Sequence, residues 1–168
     1  MKKNTDNLKI FEALSYTNPS HTKQFKGGFG KTLSTIDAMQ QIKNMTKHFG
    51  AVGKGWKYKA EYIYTDKLVF AEVTMSWKDK EEWYSYGAIS SVCALYKKDM
   101  KLDDEAPKKA MTDALTKSFS HLGLNADIFL GKFDSNKYVE SMVSLHDKTN
   151  TKAVDRLEEL TNLAPKVE

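Results

Sequence analysis

The sequence predicts an α+β fold, a three-stranded antiparallel β-meander packed with a long helix and flanked by extra N- and C-terminal helices. Three observations carry this. Apolar residues recur at helical spacing up to Phe49, switch to strict alternation from Trp56, and return to helical spacing after Asp103. Two short polar turns, "TDK" and "KDKE", divide the alternating region into three runs. A 21-residue stretch, "DDEAPKKAMTDALTKSFSHLG", has acidic residues at its start and a glycine at its end.

In chain order, residues 5 to 15, "TDNLKIFEALS", predict a short helix with Leu8, Phe11 and Leu14 inward. A polar, Gly-rich segment follows from Tyr16 to Thr32. "STIDAMQQIKNMTKHFG" predicts a helix capped by Ser34 or Thr35. Its inward stripe is Ile36, Met39, Ile42, Met45 and Phe49, and Gly50 stops it. "WKYKAEYIY" puts Trp56, Tyr58, Ala60, Tyr62 and Tyr64 on one face and Lys57, Lys59 and Glu61 on the other. "LVFAEVTMSW" alternates Val69, Ala71, Val73, Met75 and Trp77, and "EWYSYGAIS" is the third strand. Aromatic residues are common in strands, so packing is their first reading, with stacking on bases a second.

After a lysine-rich connection, "YKKDMK", comes the long helix. Pro107 lies in its first turn, where proline is tolerated, and Gly123 closes it. Met111, Ala114, Leu115, Ser118, Phe119 and Leu122 form its inward face. Lys109, Asp113, Thr116, Lys117 and Ser120 form a polar face, whose i,i+4 charges would equally suit a solvated ladder. "NADIFLGKFDSNKY" reads as a compact loop and "YVESMVSLHD" as a short helix. "TKAVDRLEELTNLAPKVE" is an amphipathic tail with Val154, Leu157, Leu160 and Leu163 on one side.

Composition narrows the function classes. The 168 residues suit one domain, 1–168, and 40% hydrophobic with 29% charged content is that of a soluble globular chain. No apolar run follows the two N-terminal lysines, which predicts no signal peptide, and no stretch approaches a membrane span. The single cysteine, Cys93, has no partner for an internal disulfide, so a reducing cytoplasm is expected. The net charge is +4, and every basic residue but Arg156 is lysine. Lysine suits sequence-independent contact with phosphates better than the two-pronged reading of bases.

Enzymatic signatures are sparse. His21, His48, His121 and His146 lie in four separate segments, away from metal-ligand spacing. No Gly-x-Ser-x-Gly elbow occurs. "KGGFGKTLS" ends in Gly-Lys-Thr like a nucleotide-binding loop, but that loop needs a glycine where Phe25 stands, a strand before it and a helix after it. The polar stretch "SYTNPSHTKQ" does not suit a buried strand, so only the helix condition is expected to hold. The segment is read as a Gly-rich connection into a helix.

Three stretches together carry a family resemblance: "GGFGKTLSTIDAMQQIKNMTKHFGAVGKGW" (27–56), "YSYGAIS" (84–90) and "APKKAMTDALTKSFSHLGLNADIFLGKFDSNKY" (106–138). In this order, with Lys-Ala-x-Thr-Asp-x-Leu inside the long helix, the chain resembles the Rad-fifty-two family of single-strand annealing proteins, most closely the short bacteriophage type. The resemblance covers an annealing core of about 27–138, leaving 139–168 as a C-terminal helical tail. It implies a non-enzymatic, cofactor-free protein of homologous recombination and DNA repair that anneals strands without ATP. It also implies a ring or filament of identical subunits, with single-stranded DNA in a basic groove, phosphates inward and bases exposed.

In the family, basic residues of the long helix hold the backbone, and Lys108 and Lys117 fall on two of those positions. Thr116 and Ser120 stand where some relatives carry further basic residues, so phosphate grip there is weaker or supplied elsewhere. The Gly-rich segment ending in Lys31 matches the opposite wall of the groove. The candidate DNA-binding residues are thus Lys26, Lys31, Lys97, Lys98, Lys101, Lys108, Lys109 and Lys117. Further candidate partners are a phage exonuclease or a host single-strand-binding protein, in the cytoplasm of a bacterial host. The alternatives are a single-stranded DNA-binding protein that does not anneal and, from another class, a P-loop-like nucleotide enzyme. An exposed edge strand in the meander points independently toward self-association, because monomers usually blunt such edges.

Overall fold

The computed structural model describes residues 8–27 and 32–163, with side chains to residue 149. Its described residues form an α+β fold of five α-helices and two antiparallel sheets. The larger sheet is a meander of β3 (Trp56–Tyr64), β4 (Leu68–Asp79) and β5 (Glu82–Ala94), in the order β3-β4-β5. Alternation is why these residues form it. Val69, Ala71, Val73 and Met75 of β4 all point to one face and are all fully buried. Trp56 pairs with Trp77 at one end of the β3–β4 ladder and Tyr64 with Val69 at the other. The β4–β5 ladder shifts register between Val73 and Met75. Gly87 adopts φ +121° beside that shift, where a Cβ would meet the Val73 carbonyl at 2.7 Å.

Helix α3 (Ala106–His121) lies across β4 and β5. Ala106, Ala110 and Ala114, spaced at i, i+4 and i+8, are buried with Leu115, Ser118 and Phe119. Three small side chains in one row let the helix sit close to the sheet. Phe119 stands edge-on to Trp56, ring centroids 5.5 Å apart. The Tyr86 hydroxyl donates to the Ser118 carbonyl and the Ser91 hydroxyl to Asp113, so two polar contacts fix the helix along β5. Gly123 follows the helix with φ +95°, and its absent Cβ would lie 2.5 Å from the Phe11 backbone. Glycine is required there, because the first helix packs directly against this turn.

Elsewhere the structure differs from expectation in several places. The polar segment from Tyr16 to Thr32 contains a strand, β1 (Thr22–Lys26), which pairs antiparallel with β2 (Thr32–Ile36). Helix α2 (Ala38–Phe49) therefore starts later than expected, capped by Asp37, which accepts the Met39 N–H at 2.8 Å. With that start its buried face is Gln41 and Met45, while Met39, about 120° around the helix from Met45, is 68% exposed. On β3 only Trp56 is fully buried. Tyr58, Tyr62 and Tyr64 are exposed because α3 covers β4 and β5 instead.

The first helix, α1 (Lys9–Leu14), buries Leu14, but Leu8 is exposed. Finally, the compact loop contains a short helix, α4 (Ala126–Phe129). The expected short helix and tail form one 28-residue element, α5 (Asn136–Leu163). No proline or glycine interrupts residues 136 to 163, so nothing breaks the backbone pattern. The tail stripe of Val154, Leu157, Leu160 and Leu163 lies outside the described side chains. No helix among the described residues is long and apolar enough to cross a membrane.

Candidate nucleic-acid interface

A groove of about 750 Å³ runs between the β1–β2 hairpin and α3. The hairpin lines it with Lys23 and Phe25 of β1 and the run Leu33, Ser34, Thr35 and Ile36 of β2. The cross-strand pairs Lys23/Thr35 and Phe25/Leu33 lie on one face of the ribbon and line the groove. Opposite them stand Lys108, Lys109, Thr112, Asp113 and Thr116 of α3. The start of α2 and the pair Ile128 and Phe129 complete the lining.

A buried polar cluster lies between the segment before β1 and the segment after α3. The Asp127 carboxylate, fully buried, accepts the Thr17 N–H (2.8 Å), the Thr17 hydroxyl (2.6 Å) and the Tyr138 hydroxyl (2.9 Å). Asn125 donates to Thr17 at 2.8 Å, and its N–H reaches the Leu14 carbonyl at 3.0 Å. This cluster ties the chain entering β1 to the chain that presents Ile128 and Phe129. Burial, and then the Asp127 carboxylate, push the Tyr138 hydroxyl far up from its ordinary value.

The groove's cations are partnered. Lys109 donates to Asp103 at 2.6 Å, and Lys108 pairs with Glu105. The hydrogen bond from Lys109 holds the Asp103 carboxyl below the usual range, and the bond from Lys108 does the same for Glu105. Lys23 lies 4.0 Å from Asp37. Burial raises the Asp113 carboxyl, but hydrogen bonds from Lys117 (2.7 Å) and Ser91 outweigh it, and the net shift is downward. A polyanion entering this groove competes with carboxylates for each lysine.

Of the lysines expected from sequence, Lys108 and Lys109 line the groove. Lys117 sits beside Ser91 of β5, outside the lining. Lys26 ends β1 on the face opposite Phe25. Lys97, Lys98 and Lys101 occupy the exposed turn before α3. Lys101 pairs with Asp99 at 3.1 Å, and Lys97 adds to the field that lowers Asp103. Lys31 lies outside the described residues. On either side of it, Lys26 pairs with Thr32 in the β1–β2 ladder and α2 begins only at Ala38, so the expected direct entry into a helix is corrected.

Sequence reasoning passed over Lys23 and Phe25 as groove residues, because their segment was read as a polar, Gly-rich connection, and it gave Gln41 no role. Gln41 is 1% exposed, lines the groove, and has no hydrogen-bond partner at either Nε2 or Oε1. Leaving such a group unpaired costs about 1–3 kcal/mol. Among the described residues no cluster of His, Cys, Asp or Glu is placed to hold a metal ion. No protein-family model matches the sequence, and no curated protein matches it.

Proposed function

We propose that this chain is a single-stranded DNA-binding and strand-annealing protein of homologous recombination, of the Rad-fifty-two-like bacteriophage type. It works without ATP, as a ring or filament of identical subunits, in the cytoplasm of a bacterial host. The observation that carries the reading is the groove itself, with Lys23 on one wall, Lys108 and Lys109 on the other, and Phe25, Leu33 and Phe129 between them. Cations at a rim suit phosphates, and apolar surface between them suits sugars and bases. The long-helix wall and β2 lie in segments on which the family resemblance rests, whereas β1, with Lys23 and Phe25, precedes them.

Function follows from this arrangement by electrostatic capture. A single strand is drawn in by the lysines, exchanges its counterions for them, and is held extended so that outward bases meet a complementary strand. Nothing in that sequence needs nucleotide hydrolysis. The test is fluorescence anisotropy with a labelled oligodeoxynucleotide, followed by annealing of complementary strands without nucleotide. The Lys108→Ala/Lys109→Ala double variant is expected to bind more weakly, and its log–log salt slope to fall by up to about 1.4 units, two contacts at about 0.7 each. Binding without annealing would leave a strand-protecting protein. Affinity independent of salt would refute the proposal. Sedimentation is expected to give a large assembly, and a monomer with and without DNA would remove the subunit ring.

A further inference from the structure

We infer that the Gln41 carboxamide receives the edge of a nucleobase, so that one base per protomer turns inward while its neighbours stay outward. The inference rests on the reading of the groove as a DNA site. Gln41 sits on α2 at a position whose partner one turn on, Met45, is fully buried in the core. An apolar residue would satisfy packing there. Instead the position carries a carboxamide, 1% exposed, in the lining of the groove, with donor and acceptor both unpaired. Native proteins rarely leave both ends of one side chain unsatisfied.

The chemistry of the missing partner is constrained. It must accept from Nε2 and donate to Oε1. The phosphodiester oxygens and the deoxyribose ring oxygen of a DNA strand only accept. The donors within a strand are all on its bases, so a backbone contact would satisfy half of the carboxamide and a base edge all of it. Each of the four bases carries a donor beside an acceptor, such as N6–H beside N7 in adenine. A carboxamide can present its donor and acceptor in either order by turning over, so this contact requires a base without choosing among them. That fits a protein whose other contacts are lysines. The surroundings agree: Phe25, Leu33, Ile128 and Phe129 offer apolar surface for a base, and Lys108 and Lys109 stand within the same groove for its flanking phosphates.

Both polar atoms of the Gln41 carboxamide are closed to solvent in this structure, so a base reaches them through a local rearrangement of the groove lining that keeps Phe25 and Leu33 in place.

The test compares a mixed-sequence oligodeoxynucleotide with an abasic strand of equal length, using wild type, Gln41→Leu and Gln41→Glu. Wild type is expected to bind the base-bearing strand more tightly. Gln41→Leu is expected to weaken that binding by about tenfold and to leave the abasic strand unchanged, while unfolding no earlier than wild type. Gln41→Glu, which only accepts, is expected to lose the same preference. If the variants fold poorly, the ¹⁵N-labelled Gln41 side-chain amide of wild type provides the readout. It is expected to shift with the base-bearing strand and not with the abasic one. Equal effects on both strands, no effect on either, or a destabilised Gln41→Leu with normal binding overturn the inference but leave the DNA reading intact. Wild type that binds neither strand overturns both.

Discussion

Asp103→Asn should make the protein bind DNA more tightly. Asp103 precedes α3, its side chain is 10% exposed, and its Oδ2 holds the Lys109 ammonium at 2.6 Å. The two groups shift each other in opposite directions. The hydrogen bond lowers the Asp103 carboxyl and raises the Lys109 ammonium. A phosphate that reaches Lys109 must displace this carboxylate or share the lysine with it. Asparagine removes the charge but keeps an oxygen where Oδ1 accepts the Glu105 N–H at 3.3 Å, so the start of α3 is preserved. The Lys109 end of the pair is half-exposed and screened by solvent, so freeing the lysine should raise affinity by about two- to fivefold at low salt. If wild type engages Lys109 only in part, one full contact should steepen the log–log salt slope by up to about 0.7. The assay is anisotropy across a salt series on both proteins, with circular dichroism as a check on the fold. Unchanged affinity and slope in a folded Asp103→Asn protein would refute the placement of Lys109 against phosphate.

Three further outcomes follow from the same geometry. Lys117→Ala should disturb DNA binding far less than Lys108→Ala, because Lys117 lies outside the groove lining, and should lower stability by less than about 1 kcal/mol, read by urea titration. Phe119→Ala should cost about 3–5 kcal/mol of stability, because Phe119 is fully buried against Trp56; a loss below 1 kcal/mol would show a loosely packed core. Asp113 has a lowered carboxyl in the fold, so its contribution is present at neutral pH and lost as pH falls through the folded value. The stability gap between wild type and Asp113→Asn should therefore close below about pH 4, and a gap that persists in acid would contradict the ion pair.

The meander and α3 were legible because each buries one face and exposes the other. Val69, Ala71, Val73 and Met75 show it at period two, and Ala114, Leu115, Ser118 and Phe119 at helical period. The β1–β2 hairpin was not legible because it is exposed along most of its length. Burial leaves no alternating imprint on "TKQFK", and only Phe25 opposite Leu33 hints at a ribbon. The same blind spot hid half of the site. Lys108 and Lys109 were found through the helix, but Lys23 and Phe25 belong to the unrecognised wall. Gln41 was missed because glutamine is rarely buried, although its place four positions before the inward Met45 already put it on the same helix face. α5 was read as two pieces because "DKTNTK" has low helix propensity, yet low propensity without a breaker did not end the helix.

The order β3-β4-β5 contains an odd number of strands, and parity governs how copies can join. In an antiparallel meander of three, the first and last strands run in the same direction. Setting β5 of one copy beside β3 of the next, head to tail, therefore makes a parallel seam. An antiparallel seam requires like edges to meet, β3 with β3 or β5 with β5, across a two-fold axis. A ring of identical seams can have any number of members and carries one parallel joint per copy. A ring of two-fold seams must have an even number of members and two alternating kinds of joint. Counting subunits in a closed assembly would thus report on strand direction at its seams: an odd count excludes alternating like-edge joints.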